Sequence, residues 1–316
     1  MRSNTGRMMI IIRLCLMLLA SMPASSALSA ITIQSASTSQ QDEPVRLRAD
    51  LVVVVVTVVD AAGASVTTLK ADDFEILENG NPQKISTFAR HDDVPLHLVL
   101  VFDISGSVKS RLGFAKDSVV RFLKALVRSD DGVAIVSVST DVVLEQSFTS
   151  DINLLTSTIT RLSAKGATAL YDGICLAADA LSQRQGRRVI FIFSDGRDTI
   201  SRATLQQTLK VLQWHDVVVY AINTAGRASS ANLRELVGER TLETLTQQTG
   251  GQVFFPDRAE ELDPVLARLA ELLRTQYVLG FVSSEEAPEK TYRELVVRVK
   301  RPNMQAYARH GYYWSK

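Results

Sequence analysis

The sequence is short of the residues from which most reactive sites are made. It has two cysteines, Cys15 and Cys175, in 316 residues. Cys15 falls in a leader-like N-terminus, so the mature chain would keep one thiol and no internal disulfide. Cys175 stands in the apolar helical stretch LYDGICLAADAL and reads as a small buried hydrophobe. The four histidines, His91, His97, His215 and His310, are scattered without zinc-ligand spacing. No G-x-S-x-G elbow surrounds a serine, which excludes an α/β-hydrolase nucleophile. Neither G-x-G-x-x-G after a strand nor G-x-x-x-x-G-K-[ST] occurs, so the common phosphate-cradling loops are missing. Charge of one sign is lacking too. A formal net charge of +1 gives no basis for nucleic-acid or polyanion binding.

The N-terminus carries Arg2, Arg7 and Arg13 with no acid among them, then the short apolar run Leu14–Ala20 and a small-residue stretch containing Pro23. This is the layout of a secretory signal peptide, with cleavage after Ala27. An uncleaved anchor is the rival reading, but Arg13 interrupts the apolar stretch and leaves it well short of the roughly 20 residues a spanning helix needs. Cleavage removes three arginines and leaves a net charge of −2. The expected product is secreted or periplasmic, with no membrane insertion once the leader is gone. Residues 28–45, rich in Ser, Thr and Gln, read as a linker.

Residues 46–93 form a β segment in this reading. Arg46–Asp60 is crowded with β-branched residues. Asn79-Gly80, between Phe74–Leu77 and Lys84–Phe88, predicts a two-residue hairpin. From residue 94 to 275 strands alternate with helices, which predicts parallel βαβ units in a doubly wound, mostly parallel six-stranded α/β sheet. The predicted strands are Leu96–Phe102, Gly132–Val138, Val142–Phe148 as an antiparallel edge, Arg188–Phe193, Val217–Ile222 and Val253–Phe255. The predicted helices include Ser201–Trp214 and Thr241–Gln248. Residues 276–316 turn to β again, with strands at Tyr277–Val282, Tyr292–Val299 and Gln305–Arg309. Neither β segment is large enough for a core of its own. They are expected to pack together around an inserted α/β unit, with Tyr312, Tyr313 and Trp314 closing the core.

The run Leu96–Ser107, LHLVLVFDISGS, organises the chain. A continuous apolar stretch stops at Asp103, as in a strand buried on both faces. Sites in open α/β sheets lie just beyond the carboxyl ends of such strands. Asp103, Ser105 and Ser107 stand there, and all three offer the oxygen that a hard cation prefers. Two further loops, Gly166–Leu170 and Ser194–Gly196, can face the same crevice, adding Thr168 and Asp195. Each has a plainer reading: Asp103, Ser105, Ser107 and Asp195 as turn residues, and Thr168 as the N-cap of a helix starting at Ala169. Asp172 reads as first-turn charge on that helix, Asp198 as a solvated loop acid and His97 as a packed strand residue.

The D-x-S-x-S signature of Asp103–Ser107, followed by Thr168 and Asp195, resembles the metal-ion-dependent adhesion site (MIDAS) of von Willebrand factor type A domains. The similarity covers about Val94–Thr275. The flanks Asp72–Gly80 and Arg309–Tyr313 look like the bacterial von Willebrand factor A-related proteins first catalogued in acidobacteria. The resemblance implies a divalent ion, Mg²⁺ or Mn²⁺, at the top of the sheet. Ser105 and Ser107 would ligate it directly, Thr168 directly or through water, and Asp103 and Asp195 directly or through water. It further implies a non-enzymatic adhesion or assembly module that grips an Asp or Glu of a protein partner through the metal. The alternatives are a structural scaffold that needs no metal and a metal-dependent enzyme. Against the enzyme, phosphotransferases with an aspartyl nucleophile carry a second Asp two positions on, where this chain has Ser105.

Overall fold

The computed structural model describes residues 51–90, 94–225, 232–284, 288 and 290–314. The leader, its cleavage position and the linker lie outside the described residues, as does His91. In chain order the elements are β1 (Leu51–Asp60), β2 (Phe74–Glu78), β3 (Asn81–Gln83), β4 (Ile85–Arg90), β5 (Leu96–Asp103), α1 (Lys109–Leu126), β6 (Gly132–Val138), β7 (Val142–Thr149), α2 (Ile152–Arg161), α3 (Leu170–Ser182), β8 (Arg187–Ser194), α4 (Leu205–Trp214), β9 (Val218–Asn223), α5 (Leu233–Thr249), β10 (Val253–Phe254), α6 (Leu262–Arg274), β11 (Tyr277–Val282), β12 (Tyr292–Val299), β13 (Met304–Tyr307) and β14 (Gly311–Tyr313).

The central sheet runs β10-β9-β8-β5-β6-β7, parallel throughout except for β7, which returns antiparallel to β6. The expected doubly wound α/β sheet with one antiparallel edge is therefore present. Strand β5 shows why its sequence is continuously apolar. Leu98, Leu100 and Phe102 face a core shared with α1, α2 and α6, while Val99 and Val101 face a second core shared with α3. Alternate side chains point to opposite faces of a strand, and here both faces are covered. The chain winds from β5 to β6 on one side and reaches β8 on the other. The loops after β5 and β8 thus border the crevice where strand order reverses.

The two β segments pair strand with strand. Strand β1 pairs antiparallel with β11 and β13, and β11 with β4. Strand β12 pairs with β2 and β14, and β2 with β3. The two four-stranded sheets share a core that includes Val54, Val56, Phe74, Ile76, Leu279, Phe281, Leu295, Tyr312 and Trp314. Inside it lies a fully buried ion pair, Arg293 to Glu78, at 3.0 Å. The Ser283 hydroxyl donates to Glu78 at 2.5 Å, and the Tyr312 hydroxyl donates to the same carboxylate. Arg187 stitches the ends of the α/β unit together. Its guanidinium donates to the carbonyls of Val94 and Leu273 and to the side chain of Gln276.

Several boundaries differ from the sequence reading. Asn79-Gly80 forms the two-residue turn, with φ of +48° and +83° and Glu78 opposite Asn81. Its return strand ends at Gln83, however, and Ile85–Arg90 crosses to the other sheet. Pro82 lacks an N–H and suits only an edge strand. Helix α4 starts at Leu205, because Thr204 caps it and forms a capping box with Gln207. Helix α5 starts eight residues earlier than the pattern indicates, at Leu233. Leu233 and Val237 are exposed there, so no apolar stripe marks those turns, and the Asn232 cap onto the Glu235 N–H sets the start. No helix among the described residues is long and apolar enough to cross a membrane.

Breaking a buried ion pair leaves its partner's charge uncompensated, at a cost of about 3–5 kcal/mol. Glu78→Gln should therefore lower the urea unfolding free energy by about that amount. A change within about 0.5 kcal/mol, typical of surface substitutions, would show that the pair does not stabilise the sheet that contains β2 and β12.

Candidate metal site

Strand β5 delivers Asp103 to the crevice almost fully buried. A buried carboxylate must be hydrogen-bonded to be tolerated. Asp103 Oδ1 accepts the Ser105 N–H at 2.8 Å, and Oδ2 accepts the Ser194 hydroxyl at 2.7 Å. Ser194, at the end of β8, in turn accepts the Gly196 N–H at 3.0 Å. One carboxylate thus ties the β5 turn to the β8 turn. Burial pushes the Asp103 carboxyl above its ordinary 3.8, and the nearby Asp195 charge adds to the rise, while Ser105 and Ser194 oppose it.

The third loop is drawn in through the backbone. Lys165 N–H donates to Ile104 O at 2.6 Å, and Gly106 N–H to Gly166 O at 3.2 Å. Thr168 O accepts from the N–H groups of Thr199 and Ile200 at 2.9 and 3.2 Å, which links the loop before α3 to the loop after β8. Thr168 is buried, yet it is not the helix cap. Ala169 holds the N-cap position of α3 without a side-chain bond. Asp103, Ser105, Thr168 and Asp195 are all buried residues of these three linked loops. The backbone of Ser107 lies in the 3₁₀ turn Gly106–Val108, and its side chain lies outside the described residues.

Asp195 is engaged by Arg197. The arginine Nε and Nη2 donate to Oδ2 at 2.9 and 2.7 Å, and its backbone N–H donates to Oδ1 at 3.0 Å. The hydrogen bonds to Asp195 raise the arginine pKa above its ordinary value despite partial burial, and Asp103 and Glu235 contribute in the same direction. Helix α5 rests directly on this turn. Gly196 has a φ of +77°, and a Cβ there would stand 2.2 Å from the Gly238 carbonyl oxygen. A Cβ on Gly238 would stand equally close to the Asp195 carbonyl oxygen. Glycine at both positions permits the approach.

The two outlying acids have structural work. Asp198 is half-buried rather than solvated: its carboxylate accepts the Tyr171 N–H at 3.2 Å and the Ser201 hydroxyl at 2.5 Å. Asp172, in the first turn of α3, accepts the N–H groups of Arg202 and Ala203 at 3.0 and 2.9 Å. Each acid braces the backbone of the other's loop. Cys175 is half-buried with its thiol pKa raised by burial, and its Sγ lies 3.7 Å from Thr208 Oγ1. Sequence reasoning missed Ser194 and Arg197. A hydroxyl at the last position of β8 was the available sign of the first, and nothing in the pattern showed that Arg197 folds back.

Among the described residues, no three of His, Cys, Asp or Glu gather as a metal cage. Any ion must rest on hydroxyls as well as carboxylates. That donor set suits Mg²⁺, which keeps several waters and takes few protein ligands.

Residues 98–197 match the family model of the von Willebrand factor type A domain. The chain carries a von Willebrand factor type A domain. The matched span contains Asp103, Ser105, Ser107, Thr168 and Asp195. Among solved structures, a von Willebrand factor type A protein from Catenulispora acidiphila is 12% identical, with 77% of this chain and 73% of that chain covered at a TM-score of 0.49. The conserved hypothetical protein BatB from Bacteroides thetaiotaomicron is 17% identical, covering 56% of this chain and 98% of its own, at 0.44. The von Willebrand domain of the type V pili tip protein Mfa5 from Porphyromonas gingivalis is 26% identical over 35% of this chain and 42% of that chain, at 0.32. No curated protein matches the chain.

The raised Asp103 carboxyl sets a pH dependence. A folded-state pKa above the unfolded value favours the protonated acid in the fold. The stability this brings is complete below about 3.8 and is lost as pH rises through the raised value. Above the raised value the fold holds a carboxylate that burial disfavours. Asp103→Asn should raise the melting temperature of the metal-free protein at pH 7, with the advantage shrinking as pH falls toward 4. A lower melting temperature at pH 7 would show that the carboxylate charge itself stabilises the site.

Proposed function

We propose that this von Willebrand factor A domain binds a divalent cation, Mg²⁺ or Mn²⁺, through Asp103, Ser105, Ser107, Thr168 and Asp195, and grips an acidic side chain of a protein partner through that ion. The observation that carries this reading is the hydrogen-bonded convergence of the Asp103, Thr168 and Asp195 loops at the carboxyl ends of β5 and β8. Every donor is a hard oxygen. The hydroxyls of Ser105 and Ser107 would hold the ion directly, and Thr168 directly or through water. Asp103 and Asp195 would act directly or by fixing bound water. Neutral hydroxyls leave an ion's charge only partly compensated, so the bound ion supplies an electrophilic point that a partner's Asp or Glu can complete. In this reading the protein is a non-enzymatic adhesion or assembly module. The signal-peptide reading of its N-terminus puts it outside the cytoplasm, secreted or periplasmic.

One observation favours a scaffold that needs no metal: Arg197 already neutralises Asp195. Calorimetry separates the two. Titration of Mg²⁺ or Mn²⁺ into the mature chain should show one saturable site, abolished in Asp103→Ala and in Ser105→Ala. Peptides then selected from a random display library should be enriched in Asp or Glu and released by a chelator. No metal binding by the folded wild-type protein would leave the scaffold reading in place of this one.

A further inference from the structure

We propose that Arg197 is a resident cation of this site, and that its ion pair with Asp195 and a bound divalent ion exclude one another. The inference rests on the metal-site reading above. Asp195 Oδ2 is engaged by both Nε and Nη2 of the guanidinium, and Oδ1 by the Arg197 N–H. The two partners are not equally confined. The Asp195 side chain is 8% exposed and the Arg197 side chain 34%. The carboxylate has little water to turn to, whereas the arginine has room to swing outward.

A carboxylate already neutralised by a guanidinium attracts a second cation less. Two cations on one carboxylate also repel, most strongly where water is scarce. Direct ligation by Oδ2 therefore requires its release from the guanidinium, while the backbone N–H can stay on Oδ1. Bidentate charge-assisted hydrogen bonds are the strong kind, so having to break them on loading should make wild-type metal affinity weaker by about tenfold or more. The same pair explains how a buried Asp195 is tolerated without metal: the fold supplies its own counter-charge, and the domain can complete folding before an ion arrives.

The test is calorimetric titration of Mg²⁺, and separately Mn²⁺, into the mature wild-type chain, Arg197→Gln and Arg197→Lys, with thermal unfolding of each metal-free form. The expected result is that Arg197→Gln binds at least about tenfold tighter and melts lower without metal, because Asp195 has lost its counter-charge. Arg197→Lys keeps a charge but not the fork, and should fall between the two. Metal binding to Arg197→Gln but not to the wild type supports the exclusion while overturning the metal-site reading for the natural chain. Equal or weaker binding by Arg197→Gln overturns the exclusion and leaves the metal site standing. If Arg197→Gln does not fold, wild-type affinity in Arg197→Lys overturns it instead. No binding by any folded variant overturns the metal-site reading and the exclusion with it.

Discussion

The arrangement at the top of the sheet depends on one buried carboxylate. Asp103 ends the central strand β5 and is hydrogen-bonded by Ser105 of its own turn and by Ser194 of the neighbouring strand. These bonds fix the turns on either side of the point where strand order reverses. Burial disfavours the charge, and the hydrogen bonds oppose that only in part. The fold thus keeps this carboxyl group where its charged form is disfavoured. The remaining contacts follow from it. The loop before α3 hangs on the β5 turn through Gly166, and the loop after β8 hangs on Thr168.

The two β sheets have a different task. They are built from strands before and after the α/β unit, so the unit enters and leaves the sandwich at one place. Arg187 bonds Val94, Leu273 and Gln276 there, and Gln276 reaches Tyr220, whose hydroxyl also meets Thr57 of β1. The junction sits at the opposite end of β8 from Ser194 and Asp195. Restraint lies at one end of the sheet and the candidate site at the other.

The sheet was legible because its four inner strands are buried on both faces, and a run such as LHLVLVF has few other homes. The hairpin at Asn79-Gly80 was legible because two positive φ angles demand such residues. Where a boundary was set by a cap rather than by apolar periodicity, as at Asn232 and Thr204, the pattern misplaced it. The candidate site was legible in its types and order: Asp103, Ser105, Thr168 and Asp195 stand on the loops expected of them. What stayed hidden were relations through space. Asp198 reads as a loop acid until its bond to the Tyr171 N–H is seen, and nothing in the pattern singles out Arg197, whose fork closes on Asp195. Turn geometry decides whether a side chain two residues away folds back, and a sequence pattern does not carry that.

The most direct test of the account is anomalous diffraction at the manganese edge from crystals of the mature protein equilibrated with Mn²⁺. The account predicts a peak bonded to the Ser105 hydroxyl and flanked by Thr168, Asp103 and Asp195, with the Arg197 guanidinium turned away from Asp195. A folded structure with no peak in the crevice, and with the Asp195–Arg197 pair unchanged at saturating Mn²⁺, would contradict it.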